Sequence, residues 1–358
     1  MKENKQHLYS LDFLRGIAAY IVIFWHWKML FYINNTKPQI ENHSLPFYDS
    51  FSLFYNHGLL AVEFFFCLSG FIFFYYFKSK IENGDLSAKQ FAFDRISRIY
   101  PLHIVTFILV AALQFISLHS SGYYLAFIYN DAYHAFLNVF MLHAWGFQSG
   151  FSYNAPSWSI SIESLLYLLF FIILMVKVNK TMLTIALIIL GALLYPYSYN
   201  LSVGLFSFFS GGLLAMVYEW ISKRASKSIT LFASIVLLLS GFSILVFRSE
   251  FNPNWVAALL FIPVILTFTS VSAIFPHFMK KLKFFGDISF SIYLIHFPLM
   301  IMTSIAVNFM GIDKSLYLHD YFFIGFVMVL TLLGAISHYH FEIPLMKFIR
   351  NKHSKADR

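Results

Sequence analysis

The chain has 358 residues, of which 59% are hydrophobic, 20% aromatic and only 12% charged. A soluble domain keeps roughly 25% charged residues to hydrate its surface, so this composition excludes a typical soluble enzyme and a disordered, fibrous or nucleic-acid-binding chain. The net charge of +8 and pI near 9.3 come largely from short Lys/Arg clusters between apolar runs, which reads as membrane topology.

A spanning helix needs about 20 apolar residues, so the apolar fraction supplies about ten. In chain order the expected spans lie near 11–33, 56–77, 98–118, 156–176, 181–197, 201–221, 229–247, 255–275, 285–308 and 320–343. The runs are continuous rather than alternating in short segments, which argues against a β-barrel. The apolar N-terminal run carries Arg15 and lacks a small-residue cleavage site, so it reads as the first span and not as a signal peptide. A further stretch, 135–147, is short and contains Asn138 and His143.

Basic residues concentrate in cytoplasmic loops, and this decides whether 135–147 crosses. If it does not, one side collects Lys2, Lys5, Lys78, Lys80, Lys89, Arg95 and Arg98, with the later clusters and the C-terminal tail. The outer side then keeps Lys28, Lys37, Arg248 and Lys314. The expectation is therefore an all-α integral membrane protein of about ten transmembrane helices. It adds one re-entrant or interfacial helix, with both termini cytoplasmic. Residues 1–346 form the membrane domain and 347–358 a short basic tail suited to anionic lipid. The segment 78–94 reads as a polar connector.

Ionisable groups in a bilayer are costly unless paired or hydrated, which makes them functional candidates. Arg15 and His26 are eleven positions apart, about three turns, so they share a helix face. Arg15 can also be read as a snorkelling cation paired with Asp12, and His26 as an interhelical hydrogen-bonding group. Glu63 sits in Val-Glu-Phe-Phe-Phe-Cys-Leu-Ser-Gly, where a carboxylate needs a proton or a partner. Arg95 and Arg98, three apart at a helix mouth, present a cationic fork suited to phosphate. The fork also fits simple cytoplasmic anchoring.

Pro156-Ser-Trp-Ser-Ile-Ser-Ile-Glu163 opens the next helix. Trp158 there reads as an interfacial residue or as a stacking surface for a sugar ring, beside Ser159. Tyr293 and His296 share a face of a later span, where Pro298 is expected to break the helical ladder. The one cysteine, Cys67, excludes an internal disulfide and reads as packing. The fourteen histidines show no metal-ligand spacing.

These segments together resemble the acyltransferase-3 family of integral-membrane acyltransferases, which modify bacterial surface glycans among other acceptors. The resemblance rests on Arg15…His26, the Val62-Glu63-Phe-Phe…Leu-Ser-Gly-Phe run and Arg95-x-x-Arg98…Pro101. It continues through Trp158-Ser…Glu163, Ser291-x-Tyr293-Leu-x-His296-x-Pro298 and the closing Glu342-x-Pro344. Ala61 departs from the glycine usual in the family. The resemblance implies that His26 is catalytic, that Arg15, Arg95 and Arg98 bind acyl-CoA, and that Glu163 lies near the acceptor. Many family members carry an appended esterase-like domain, and none is expected here.

The chemistry agrees. A sugar hydroxyl attacking a thioester benefits from a general base such as His26, worth roughly 10²–10⁴ in rate. Glu63 or Glu163 would orient or stabilise the imidazole, and Trp158, Ser159, Tyr293 and His296 are expected on the substrate side. The expected partners are acyl-CoA, in particular acetyl-CoA, as donor substrate, a glycan or lipid-linked sugar as acceptor, and membrane lipids. No nucleic acid, metal or resident cofactor is expected, and homo-oligomerisation stays open. The location that follows is multi-pass in a cell membrane, the bacterial cytoplasmic membrane in the first instance. The alternative is a polytopic secondary transporter or polysaccharide exporter, against which stands the lack of paired broken helices in two repeat halves.

Overall fold

The computed structural model of the chain describes residues 7–37, 39–248 and 252–356. Among these residues every regular element is a helix, with no β-strand. The first helix, α1 (Tyr9–His26), tightens at His26 into a 3-10 turn, Trp27–Phe31. Then follow α2 (Tyr48–His57), α3 (Leu60–Glu82), α4 (Ala88–Ser121), α5 (Ala132–Val139) and α6 (Trp158–Met175). The middle of the chain gives α7 (Lys180–Leu194), α8 (Tyr199–Ile221) and α9 (Lys227–Arg248). A short α10 (Pro253–Val256) passes through a π turn into α11 (Ile262–Ile274), with α12 (Pro276–Lys281) and α13 (Lys283–Asp287) behind it. The chain closes with α14 (Ser289–Phe309), α15 (Asp320–Ile336), a further π turn and α16 (Ile343–Ala356).

Eight helices among the described residues are long and apolar enough to cross a membrane, which with the composition makes this a multi-pass membrane protein. The two other expected spans correspond to α1, whose run is diluted by Asp12, Arg15 and His26, and to α7, which has 15 residues. In the 135–147 region α5 has eight residues, about 12 Å of helix against a hydrocarbon core of about 30 Å. Beyond it the π turn His143–Phe147 is bent by Gly146 at φ 99°.

One of these readings is corrected and three are refined. The run 56–77 is not one helix: α2 stops at His57 and α3 begins at Leu60, which puts Glu63 in the first turn of α3. The connector 78–94 is mostly helical, since α3 runs to Glu82 and α4 starts at Ala88. Pro298 interrupts the hydrogen-bond ladder, as expected, without ending its helix, which continues to Phe309. The C-terminal segment is helical to Ala356. Lys2, Lys5 and Arg358, counted toward the cytoplasmic side, lie outside the described residues.

Two compact units are built from interleaved segments. The first takes Met1–Ala18, Leu60–Ala88 and Ile162–Asp287. Its centre is the contact of α3 with α8. A Cβ at Gly70 would run into the carbonyl of Phe208, and one at Gly211 into the carbonyl of Cys67, so the two backbones touch directly. Small residues permit such approach in membrane helices, and Cys67 is buried in this seam. Aromatic rings fill the adjoining space, with Phe73 and Tyr167 stacked at 4.2 Å between centroids.

The second unit takes Ala19–Leu59, Lys89–Ser161 and Ile288–Arg358. Tyr20 hydrogen-bonds Thr331 at 2.8 Å, Trp27 donates Nε1–H to the carbonyl of Tyr317 at 2.9 Å, and Gly334 lets α15 approach Ile292 of α14. A second core gathers Phe107, Val110, Leu125, Tyr153 and Phe297. Gln114 fixes the 122–131 segment to α4, donating to the carbonyl of Leu125 and accepting its N–H.

Candidate active site

The site is assembled in the second unit around α14. His296 is completely buried, and its Nδ1 lies 2.6 Å from the carbonyl of Tyr293 one turn back. A carbonyl only accepts, so Nδ1 carries the proton and Nε2 of His296 is an acceptor. That Nε2 is 2.8 Å from Nδ1 of His26, the last residue of α1. His26 must therefore donate through Nδ1, which leaves its Nε2 as the basic nitrogen. The ring planes differ by 8° with centroids 4.9 Å apart, the geometry of two coplanar imidazoles joined edge to edge by an in-plane bond.

Against this pair lies the turn that starts α6. Pro156 occupies its first positions, where a missing N–H costs nothing. Tyr293 donates its hydroxyl proton to the carbonyl of Pro156 at 2.7 Å, and Ser159 donates to Tyr293 at 2.7 Å. Asn154 donates to Thr106 at 3.0 Å and to the carbonyl of Leu294 at 3.1 Å. Leu294 stands four residues before Pro298, and proline has no N–H for that carbonyl. Asn154 supplies the missing donor, which is why α14 runs on unbroken.

A cavity of about 510 Å³ opens here, within the size range of small-ligand sites. Its lining includes His26, Trp25, Tyr55, Pro156 and Trp158. Trp158 is buried and stands in the wall beside the histidine.

A second polar cluster went unassigned by sequence reasoning. His103 of α4 contacts the carbonyl of Asn138 at 2.8 Å, and His143 contacts Ser157 at 3.2 Å. The two rings are parallel within 4° at 5.9 Å. Nδ1 of each histidine, Oδ1 of Asn138 and Oδ1 of Asn154 are buried without a partner among the described residues, as at sites served by ordered water. Ser161 clamps the same stretch, donating to the carbonyl of Met141 and accepting from the N–H of Ala144. The polarity of Asn138 and His143 in an apolar stretch was the available signal; His103 gave none.

The two carboxylates belong to the first unit. Glu63 is buried and accepts from the hydroxyl of Tyr199, while its Oε2 has no partner among the described residues. Glu163 accepts from Ser69 at 2.9 Å and from Tyr167 one turn on. Arg15, half-buried on α1, is also in the first unit. Arg95 and Arg98 are in the second, Arg98 exposed and Arg95 half-buried with its guanidinium 5.9 Å from the Phe91 ring centroid. Beside them Arg350 of α16 pairs with Asp94 at 3.0 Å and reaches Ser97. Among the described residues no group of three or more His, Cys, Asp or Glu side chains is placed to hold a metal ion.

A family model described as an acyltransferase domain, that of the acyltransferase-3 family, matches residues 8–340. The chain is also similar to a peptidoglycan O-acetyltransferase, OatA of Listeria monocytogenes, at 25% identity over 342 residues. That alignment covers 84% of this chain and 50% of the relative, so the chain spans about half the length of the curated protein it matches. No solved structure matches.

Proposed function

The chain belongs to the acyltransferase-3 family, and from that membership we propose that it moves an acyl group from cytoplasmic acyl-CoA to a hydroxyl of an extracytoplasmic or lipid-linked glycan. Acetyl is the acyl group of choice, supported by the relative named for O-acetylation of peptidoglycan. Membership in an acyltransferase family favours this enzyme over the transporter reading. The proposed setting is a bacterial cytoplasmic membrane, with both termini cytoplasmic and about ten spans.

The observation that carries the mechanism is the His26–His296 pair at the cavity wall. His296 holds His26 in the tautomer whose Nε2 is basic. The acceptor hydroxyl gives its proton to that nitrogen as its oxygen bonds to the thioester carbonyl carbon. The tetrahedral intermediate collapses with cleavage of the carbon–sulfur bond, and the CoA thiolate takes the proton from His26 imidazolium. The products are an ester and free CoA. Asn154, Ser159 and Tyr293 hold the α6 turn, so that Trp158 stands as an apolar wall for a sugar ring.

Arg95 and Arg98 are proposed to receive the donor's phosphates, for which forked guanidinium groups are suited; for Arg15 a donor-binding role is proposed from the family resemblance alone. For Glu63 and Glu163, each held by a tyrosine hydroxyl, a catalytic role is proposed from the sequence pattern alone.

The test uses full-length protein in lipid nanodiscs with acetyl-CoA and a glycan acceptor, following thiol release and acetyl ester by mass spectrometry. Transfer that is lost in His26→Ala with acetyl-CoA binding retained is the expected result. Undiminished transfer in folded His26→Ala would overturn the mechanism.

A further inference from the structure

We propose that the cavity beside His26 reads an anionic group on the acceptor: Lys28 and Lys37 bind a carboxylate, or a phosphate in its place, carried by the glycan whose hydroxyl is acylated. This rests on the acyltransferase reading above and adds the chemical class of its acceptor.

Both lysines line the cavity that contains His26. Lys28 sits two residues past the histidine, on the 3-10 turn, half-buried and donating to Oδ1 of Asn42 at 2.6 Å. An amide oxygen orients an ammonium group without neutralising it. Lys37 is exposed at the same cavity. Among the described residues lining the cavity there is no Asp or Glu, so the charge is left for a ligand to balance. Two cations without a counter-carboxylate repel one another, and an arriving anion relieves both.

The rest of the wall narrows the class of ligand. Trp25, Tyr32 and Trp158 line the same cavity, and aromatic rings suit the C–H side of a pyranose ring. Aromatic faces with point-charge cations suit an acidic sugar better than a neutral one. The charge pattern supports the same conclusion. On the topology proposed above the outer side is poor in lysine and arginine, and two of its few cations meet at this one cavity. Anchoring to phospholipid headgroups would call for a spread along the membrane surface instead.

The probe is a uronic-acid oligosaccharide compared with the same oligosaccharide after reduction of its carboxyls to alcohols. Binding to the full chain in neutral-lipid nanodiscs is read by calorimetry, and transfer from acetyl-CoA is read separately. The acidic form should bind about tenfold more tightly, an advantage that shrinks as salt rises. Lys28→Gln/Lys37→Gln should abolish that advantage and leave the KM for acetyl-CoA unchanged, while Lys28→Arg/Lys37→Arg should keep it. Glutamine at 28 can still donate to Asn42, and Lys37 is exposed, which favours a folded variant. Equal affinity for the two oligosaccharides would overturn the inference. So would a double-glutamine variant that raises the KM for acetyl-CoA alone, because the cavity would then hold the donor's phosphates. A preference for the acidic form without any acyl transfer would support the anion site and overturn the proposed enzyme.

Discussion

Asn154 donates its side-chain amide to the carbonyl of Leu294 at 3.1 Å, the carbonyl that Pro298 leaves without a helical donor. In a bilayer an unsatisfied backbone group costs several kcal/mol, so one asparagine on the α6 turn lets a proline stay inside α14. The same bond ties the turn carrying Pro156 and Trp158 to the helix carrying His296. Asn154→Ala should therefore destabilise the protein by about 1–3 kcal/mol, the cost of a stranded buried acceptor. In a Pro298→Ala background, where residue 298 can serve Leu294 itself, most of that cost should vanish. A double-mutant cycle read by thermal unfolding in detergent measures this coupling; strictly additive effects would refute it.

The histidine pair makes a prediction with two separable parts. Replacing His26 by alanine removes the base and should lower kcat by roughly 10²–10⁴. Replacing His296 by alanine leaves the base in place but frees Nδ1 of His26 to hold either tautomer. The expected loss is about 10- to 100-fold in kcat, with both KM values nearly unchanged. His296→Gln, whose side-chain oxygen can accept from His26, should recover part of the rate. Equal KM and kcat in wild type and His296→Ala would show that the bond has no role in positioning.

Asp131 caps α5, accepting the N–H of His134 at 2.9 Å, and that bond holds its carboxyl below the usual carboxylate range. A depressed carboxyl contributes stability above its unfolded value, near 4. That contribution is lost as pH falls through the lower folded value. The protection factors of the backbone amides in residues 132–139, measured against their intrinsic exchange rates, should therefore be flat from neutrality to about pH 4 and fall only below it. Asp131→Asn, which still accepts the N–H, should remove the acid limb and retain most of the protection. An acid limb of the same size in Asp131→Asn would assign it to another group.

Most helices can be read from hydropathy because each is one uninterrupted apolar run; α8 at Tyr199–Ile221 falls on the expected 201–221. The boundaries that escaped depend on neighbours. Near residue 58 the apolar pattern continues while the helix does not, and there Gly58 leaves no room for a Cβ beside Trp25 and the carbonyl of Phe54. His26, His296, Tyr293 and Trp158 were legible as polar or aromatic residues at fixed spacings, but their bonding was not. Asn154 and His103 act through residues distant in sequence, and no local pattern announces them. Pro298 in an apolar run did hold a signal: it requires some donor to serve residue 294.

The 135–147 region decides the sidedness of everything after it. Its helix is too short to cross, so Ser121 and Ser149 should lie on the same face of the membrane. Single cysteines at each position, in a Cys67→Ser background, should both react with an impermeant maleimide added to whole cells. Labelling of one and not the other would place a crossing between them. It would also invert every later loop.

The cationic fork supplies the last prediction. Arg95 and Arg98 should bind the donor's phosphates, so Arg95→Ala/Arg98→Ala should raise the KM for acyl-CoA much more than that for the acceptor. Lysine at both positions keeps the charge but loses the planar fork, and should restore affinity only in part. Full restoration by lysine would reduce the pair to a membrane anchor. Arg350 extends the argument, because it is held against Asp94 at 3.0 Å next to the fork. Arg350→Ala leaves the Asp94 carboxylate uncompensated beside an anion site, and should raise the KM for acyl-CoA by about two- to fivefold, the scale of a partly exposed ion pair. Adding Asp94→Asn removes the charge that Arg350 had balanced and should bring the KM back. Raising the ionic strength should weaken donor binding in the wild type and much less in the double-alanine variant, since the phosphates are then no longer held by charge. An unchanged KM for acyl-CoA in a well-inserted Arg95→Ala/Arg98→Ala protein would place the donor elsewhere.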